Sequence, residues 1–135
     1  MASAKSKSVE RYRYTKAYRL SADNEFKAVF DNKLRKNAGP LAVLALPNGL
    51  EHHRFGMTVS RRVGNAVKRH RIKRFLREAF RLHQASWPGR YDLVVIVYPH
   101  EVLKLEDYAD LLKNAVDQLH VVSEKRRARK TEDAG

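Results

Sequence analysis

The 135 residues carry 28 Lys and Arg against 15 Asp and Glu, a formal net charge of +13, with 43% apolar residues and no cysteine. That length and apolar content suit one domain with a core, and the missing cysteine excludes disulfides and thiolate-held zinc. No apolar run approaches the roughly 18 residues of a membrane span, so the basic excess points to nucleic acid or to an anionic membrane surface.

Residues 1–17 are polar without a sustained period and read as a disordered basic tail. Lys5 and Lys7 have no apolar stretch behind them, so a secretory signal is not expected. Tyr12, Tyr14 and Tyr18 alternate with Arg11, Arg13, Lys16 and Arg19. This mixture suits base stacking with phosphate contact and equally a solvated tail. Ser21 to Glu25 offers cap residues and early acids for a short helix. Phe26, Val29 and Phe30 then share one apolar face.

Gly39-Pro40 breaks the chain, and a weak strand is placed before it at Lys33–Lys36. Leu41–Leu46 is uniformly apolar and short, the pattern of a strand buried on both faces. Asn48-Gly49 is a preferred two-residue hairpin turn, so Arg54–Ser60 is expected to return alongside it. On that return strand Phe55, Met57 and Val59 point one way. Gly56, Thr58 and Ser60 form a small, polar face with room for something to lie on it.

Gly64-Asn65 marks a helix start with Asn65 as its cap. Ile72, Phe75, Leu76, Ala79 and Phe80 follow the 3.6-residue period of a core stripe. His70, Arg74, Arg77 and Arg81 lie opposite, with Lys68, Arg69, Arg71 and Lys73 on the flanks. From Arg61 to Arg81 there are nine Lys or Arg and one acid, Glu78. A packed helix with this charge is built to sit on a polyanion, and RNA suits it best. Trp87-Pro88-Gly89 ends it. Tyr91–Tyr98 is β-branched on both faces, a central strand. A last helix is expected over about Glu106–His120, burying Tyr108, Leu111, Leu112, Ala115 and Leu119. From Ser123 the chain reads as a frayed basic tail, 123–135. Positive charge gathers on one helix and the two ends, whereas residues 101–120 hold five acids, which suggests one RNA-facing side.

The order α-β-β-β-α-β-α predicts an α+β domain over 18–122: a single mixed sheet of about four strands with packed helices. A phosphodiesterase would gather carboxylates around a metal or pair histidines for acid–base work. Here the carboxylates are scattered, Asp92 stands alone before its strand, and Glu78 sits among arginines. The six histidines (His52, His53, His70, His83, His100, His120) lack ligand spacing and read as solvated. No catalytic residue is assigned.

The run Thr58-Val-Ser60-Arg61-Arg62-Val-Gly-Asn65-Ala66-Val-Lys68-Arg69-His70-Arg71-Ile72-Lys73-Arg74-Phe-Leu-Arg77-Glu78-Ala-Phe80 closely resembles the signature of the bacterial ribonuclease P protein subunit. Arg19-Leu20 and Asn24–Phe30 resemble that family's opening helix, and Asp92–Val97 its last strand, over roughly residues 18–120. The resemblance implies a left-handed β-α-β crossover, against the usual hand. It also implies an accessory subunit whose RNA partner removes the 5′ leader of precursor tRNA and holds the catalytic Mg²⁺, with none bound by protein ligands alone. The subunit would raise affinity for substrate and metal. Arg61, Arg62, Lys68, Arg69, His70, Arg71, Lys73, Arg74 and Arg77 would face the catalytic RNA. Phe26, Phe30 and Ser60 would line the cleft for the single-stranded leader. A cytoplasmic location follows, without a membrane or an obligate protein partner.

Two residues depart from the family pattern. His70 stands where the motif has Asn, so an amide's paired donor and acceptor are lost. Leu44 takes a place where some relatives carry a cleft aromatic. A ribosomal or RNA-chaperone protein binding structured RNA without a catalytic partner is the alternative. A DNA-binding regulator would need a helix-turn-helix neighbour where this sequence has a strand.

Overall fold

In the computed structural model, residues 16–134 are described, with side chains through residue 132. Four strands form one sheet: β1 Arg35–Ala38, β2 Leu41–Pro47, β3 Arg54–Val59 and β4 Tyr91–Val97. Three α-helices flank it: α1 Asp23–Asp31, α2 Ala66–His83 and α3 Leu105–Ala134. The expected α+β class and element order hold. None of the helices is long and apolar enough to cross a membrane. The N-terminal tail lies outside the described residues as far as residue 15. Lys16–Tyr18 form one 3-10 turn, and Tyr18 packs on the core, its ring centroid 4.2 Å from that of His52.

The sheet order is β1-β2-β4-β3, so the expected hairpin between β2 and β3 does not form. β4 lies between them, antiparallel to β2 and parallel to β3. β4 is apolar on both faces and takes a partner on each edge, which outweighs the local turn signal. Asn48 serves the connection differently, accepting from Leu50 N at 2.9 Å and donating to Asp92 at 3.0 Å. The tight hairpin is β1–β2, turned by Gly39-Pro40 with Gly39 at φ 55°. β1 lies two residues later than expected. Lys33, at φ 55°, ends the first helix before the strand can start.

α2 and α3 cover one face of the sheet over a core that includes Val43, Phe55, Ile72, Leu76, Phe80, Val95, Tyr108, Leu112 and Leu119. α1 covers part of the other, closing Leu20, Val29, Leu44 and Val94 into a second cluster. Phe26 packs against that cluster, whereas Phe30, expected on the same core face, is 38% exposed. The free edge of β3 is met by the Leu20 N–H, which donates to Phe55 O at 3.0 Å.

Asp92 is not isolated. Arg54 grips it bidentately, Nε to Oδ1 at 2.8 Å and Nη2 to Oδ2 at 2.7 Å, and reaches Glu25 with Nη1 at 2.9 Å. Glu25 also accepts from the N–H groups of Ala22 (3.0 Å) and Ser21 (3.2 Å). Those bonds, led by Ala22, hold its carboxyl below the usual range. One network thus fastens the start of α1 to the first residues of β3 and β4.

Nor are all the histidines solvated. His53 is fully buried, its Nδ1 accepting from Tyr91 N (3.0 Å) and its Nε2 facing Trp87 O (3.4 Å). His100 lies 2.7 Å from the Tyr108 hydroxyl, and His120 the same distance from that of Tyr91. The partners of His53 and His120 lie 29 to 38 residues away in sequence, so spacing does not reveal them. Desolvation lowers the His53 pKa from 6.5 to about 4. The unfolded chain takes up this proton below pH 6.5, the folded chain only near pH 4. Stability is therefore complete above pH 6.5 and falls by about 3 kcal/mol toward pH 4. Urea unfolding at the two pH values checks this. His53→Gln should be less stable at pH 7 and lose less on acidification.

The last helix runs well past His120, and the frayed tail expected from Ser123 is helical to Ala134. Ser123 is buried, and Arg126 donates to the carbonyls of Asn32 (2.9 Å) and Lys33 (3.1 Å) at the end of α1. A cation at a helix C-terminus is a favourable anchor, and it fixes a stretch that its composition alone leaves free.

Candidate nucleic-acid interface

β3 ends at Val59, and Ser60 leads into a 3-10 turn at Arg61–Val63. The Ser60 carbonyl accepts from Val63 N at 3.1 Å. Asn65 then caps α2 as expected, its side chain accepting from Lys68 N at 2.9 Å. Ile72, Leu76, Ala79 and Phe80 are buried, and Phe75 is half-buried. The apolar stripe therefore fixes which side of the helix is wet. Arg61, Arg62, His70, Arg71, Arg74 and Arg77 are exposed, and Lys68, Arg69 and Lys73 are partly so.

These cations are not equivalent. Arg69 folds back, donating from Nε to Gly64 O at 3.1 Å, and so braces the helix start. The Arg71 guanidinium lies 5.9 Å from the Phe75 ring centroid. Arg81 is paired with Glu78, and that hydrogen bond holds the Glu78 carboxyl below its usual range. The single acid of the helix is thereby neutralised within the helix, chiefly by Arg81 with a smaller contribution from Arg74, leaving Arg62, Arg74 and Arg77 exposed with no ion pair among the described residues.

The small, polar face of β3 is divided by α1. A Cβ on Gly56 would lie 2.6 Å from Phe26 Cζ, so glycine is what lets the ring settle on the sheet. Leu44 is buried beneath the same helix and lies off the open surface. Beyond Phe26 no described residue covers the sheet. Thr58 and Ser60 are exposed, Ile96 is half-buried, and Tyr98 is 42% exposed. Together with Val59, Arg62, Val97 and Pro99 these four residues line a groove of about 450 Å³. Arg35 donates to the Tyr98 hydroxyl at 2.7 Å and steadies it. The sequence reading missed Tyr98 and Arg35, although an aromatic one residue past a central strand was the available signal. Ile96, like Phe26, packs on the cluster beneath α1 and also lines the groove, which links the α1 side to the basic turn.

Among the described residues no three His, Asp or Glu converge as a metal site. At the basic face Glu78 is engaged by Arg81, so this surface does not fit a Mg²⁺ ion. The element before α2 is a strand and a 3-10 turn, so a helix-turn-helix is excluded.

The pattern of the Ribonuclease P family matches residues 14–122, leaving the end of α3 outside. The chain is 39% identical over 101 residues to the ribonuclease P protein component of Exiguobacterium sibiricum, spanning 73% of this chain and 87% of that protein. The Staphylococcus aureus RNase P protein superposes with a TM-score of 0.66 at 28% identity, covering 76% of this chain and 94% of the other. The RNase P protein from Thermotoga maritima gives 0.62 at 28% identity, with 71% and 92% covered.

Proposed function

Because this chain belongs to the Ribonuclease P protein family, we propose that it binds a catalytic RNA along α2 and guides the single-stranded 5′ leader of precursor tRNA across the open end of the sheet. As a family member it is an accessory subunit of the ribonuclease P endoribonuclease. The observation that carries the fuller reading is the groove of Thr58, Ser60, Arg62, Ile96 and Tyr98, which shares Ile96 with the cluster that Phe26 packs on and holds Arg62 in the turn leading into α2.

Each part has a physical role. Arg62, Arg74 and Arg77 neutralise phosphates and release counterions. His70 offers one hydrogen bond there in place of an amide's pair. Phe30 and Tyr98 present exposed rings on which leader bases stack, while Phe26 forms the wall between them and the sheet. Thr58 and Ser60 are short enough to admit a strand and carry hydroxyls for its sugars and phosphates. Bond breaking and its Mg²⁺ belong to the RNA, and the assembled particle binds substrate and metal more tightly than the RNA alone. A cytoplasmic site of action is part of the same reading.

Phe30→Ala and Tyr98→Ala test it. In the assembled particle each should weaken binding of leader-bearing precursor by about 5- to 150-fold, the equivalent of 1–3 kcal/mol of stacking. Binding of mature tRNA should not change. Equal losses for both RNAs would contradict a leader role.

A further inference from the structure

Helix α3 continues beyond its own packing. Among the described residues Leu119 and Ser123 are its last buried ones, yet the helix reaches Ala134. Over Lys125–Lys130 five of six residues are cationic. Lys125 and Arg129, and likewise Arg126 and Lys130, stand four apart, a like-charge spacing that opposes the helix. Arg126 is held by the α1 carbonyls, and Arg127 pairs with Glu124 at 2.6 Å. Lys125, Arg129 and Lys130 are exposed and form no ion pair among the described residues. The helix is thus aimed by one anchor, while among the described residues Lys125, Arg129 and Lys130 are left without an ion-pair partner.

Between this overhang and the sheet lies a cavity of about 430 Å³, with Arg90, Tyr91, His120, Arg127 and Lys130 on its wall. Its place is fixed by register. It opens at the Tyr91 end of β4, beside Pro47 of β2. The groove of Ser60, Arg62 and Tyr98 opens at the Val97 end, where β3 also ends. Six residue steps along β4 separate the two, roughly 20 Å.

We propose that the C-terminal overhang of α3, together with Arg90, is a second RNA-binding surface that takes the phosphodiester backbone of a stretch of the partner RNA separate from the one on α2. It rests on the proposed function only for the identity of that RNA. Phosphates relieve the repulsion along Lys125–Lys130, and the cavity brings Arg90 onto the same backbone from the side of the sheet.

The experiment compares the full chain with Lys125→Gln/Arg129→Gln/Lys130→Gln and with Arg90→Gln. Arg126 stays, and circular dichroism and thermal melts verify folding. Binding to the ribonuclease P RNA transcript is titrated with salt. The slope of log K against log salt should become shallower by about 2 for the triple variant and by about 0.7–0.9 for Arg90→Gln. Because the chain has no cysteine, a cleavage reagent can be tethered to Arg129→Cys or, on α2, to the exposed Val67→Cys. The two should mark different RNA segments. Unchanged slopes in folded variants, as a surface for an acidic protein would give, overturn the proposal. Marks on the same nucleotides overturn it too. An unsubstituted chain that binds the RNA without speeding precursor cleavage defeats the functional reading alone, and the slopes still decide this surface. An unsubstituted chain that does not bind RNA at low salt defeats both.

Discussion

Replacing Arg62, Arg74 and Arg77 together by Gln should flatten the salt dependence of RNA binding by two to three in slope and weaken binding on the order of a hundredfold near 0.1 M salt. Each phosphate contact on RNA contributes a slope of roughly 0.7–0.9, and three are removed. All three side chains are exposed, and none braces the fold as Arg69 does at Gly64. Arg81 remains to hold Glu78 when Arg74 is gone. The loss is therefore one of charge and not of structure, which an unchanged melting curve should show. A slope equal to that of the unsubstituted chain would place the main RNA contact away from α2.

The largest effect on stability should come from Arg54→Met, at about 3 kcal/mol or roughly 10 °C in Tm. The Asp92 side chain is 7% exposed and would lose both arms of its guanidinium partner, keeping only Asn48. The figure is at the low end for a broken buried pair because Arg54 is 26% exposed. The cost lies mainly in the carboxylate left behind, so Arg54→Met/Asp92→Leu should recover much of it. Thermal and urea unfolding of the single and double variants read this out. The same substitution releases Glu25 and loosens the start of α1, so leader binding should fall along with stability.

The features that are legible from the sequence are those with a local cause. α2 shows in its 3.6-residue stripe and its Asn65 cap, and β4 in its β-branched run, because the same residues that set the pattern also do the packing. What sequence reading misses depends on partners far along the chain. The Asn48-Gly49 pair looks like a hairpin because the insertion of β4 between β2 and β3 is decided forty residues later. Asp92 and Arg54 are 38 residues apart, so nothing near Asp92 hints at its partner. The end of α3 reads as a tail because its anchor, Arg126 on the α1 carbonyls, spans more than ninety residues. At the interface, the cations were legible as a set, but not their division of labour. Only the fold shows that Arg69 and Arg81 are engaged internally and that Phe26 is a wall while Phe30 and Tyr98 are open.

The central claim is that this chain arranges RNA and leaves bond breaking to it. Precursor tRNA should be incubated at low Mg²⁺ with nucleic-acid-free protein, with ribonuclease P RNA, and with both. The account predicts no cleavage by the protein alone, and faster release of the 5′ leader by the pair than by the RNA. Cleavage at the leader junction by the protein and metal without RNA would contradict it.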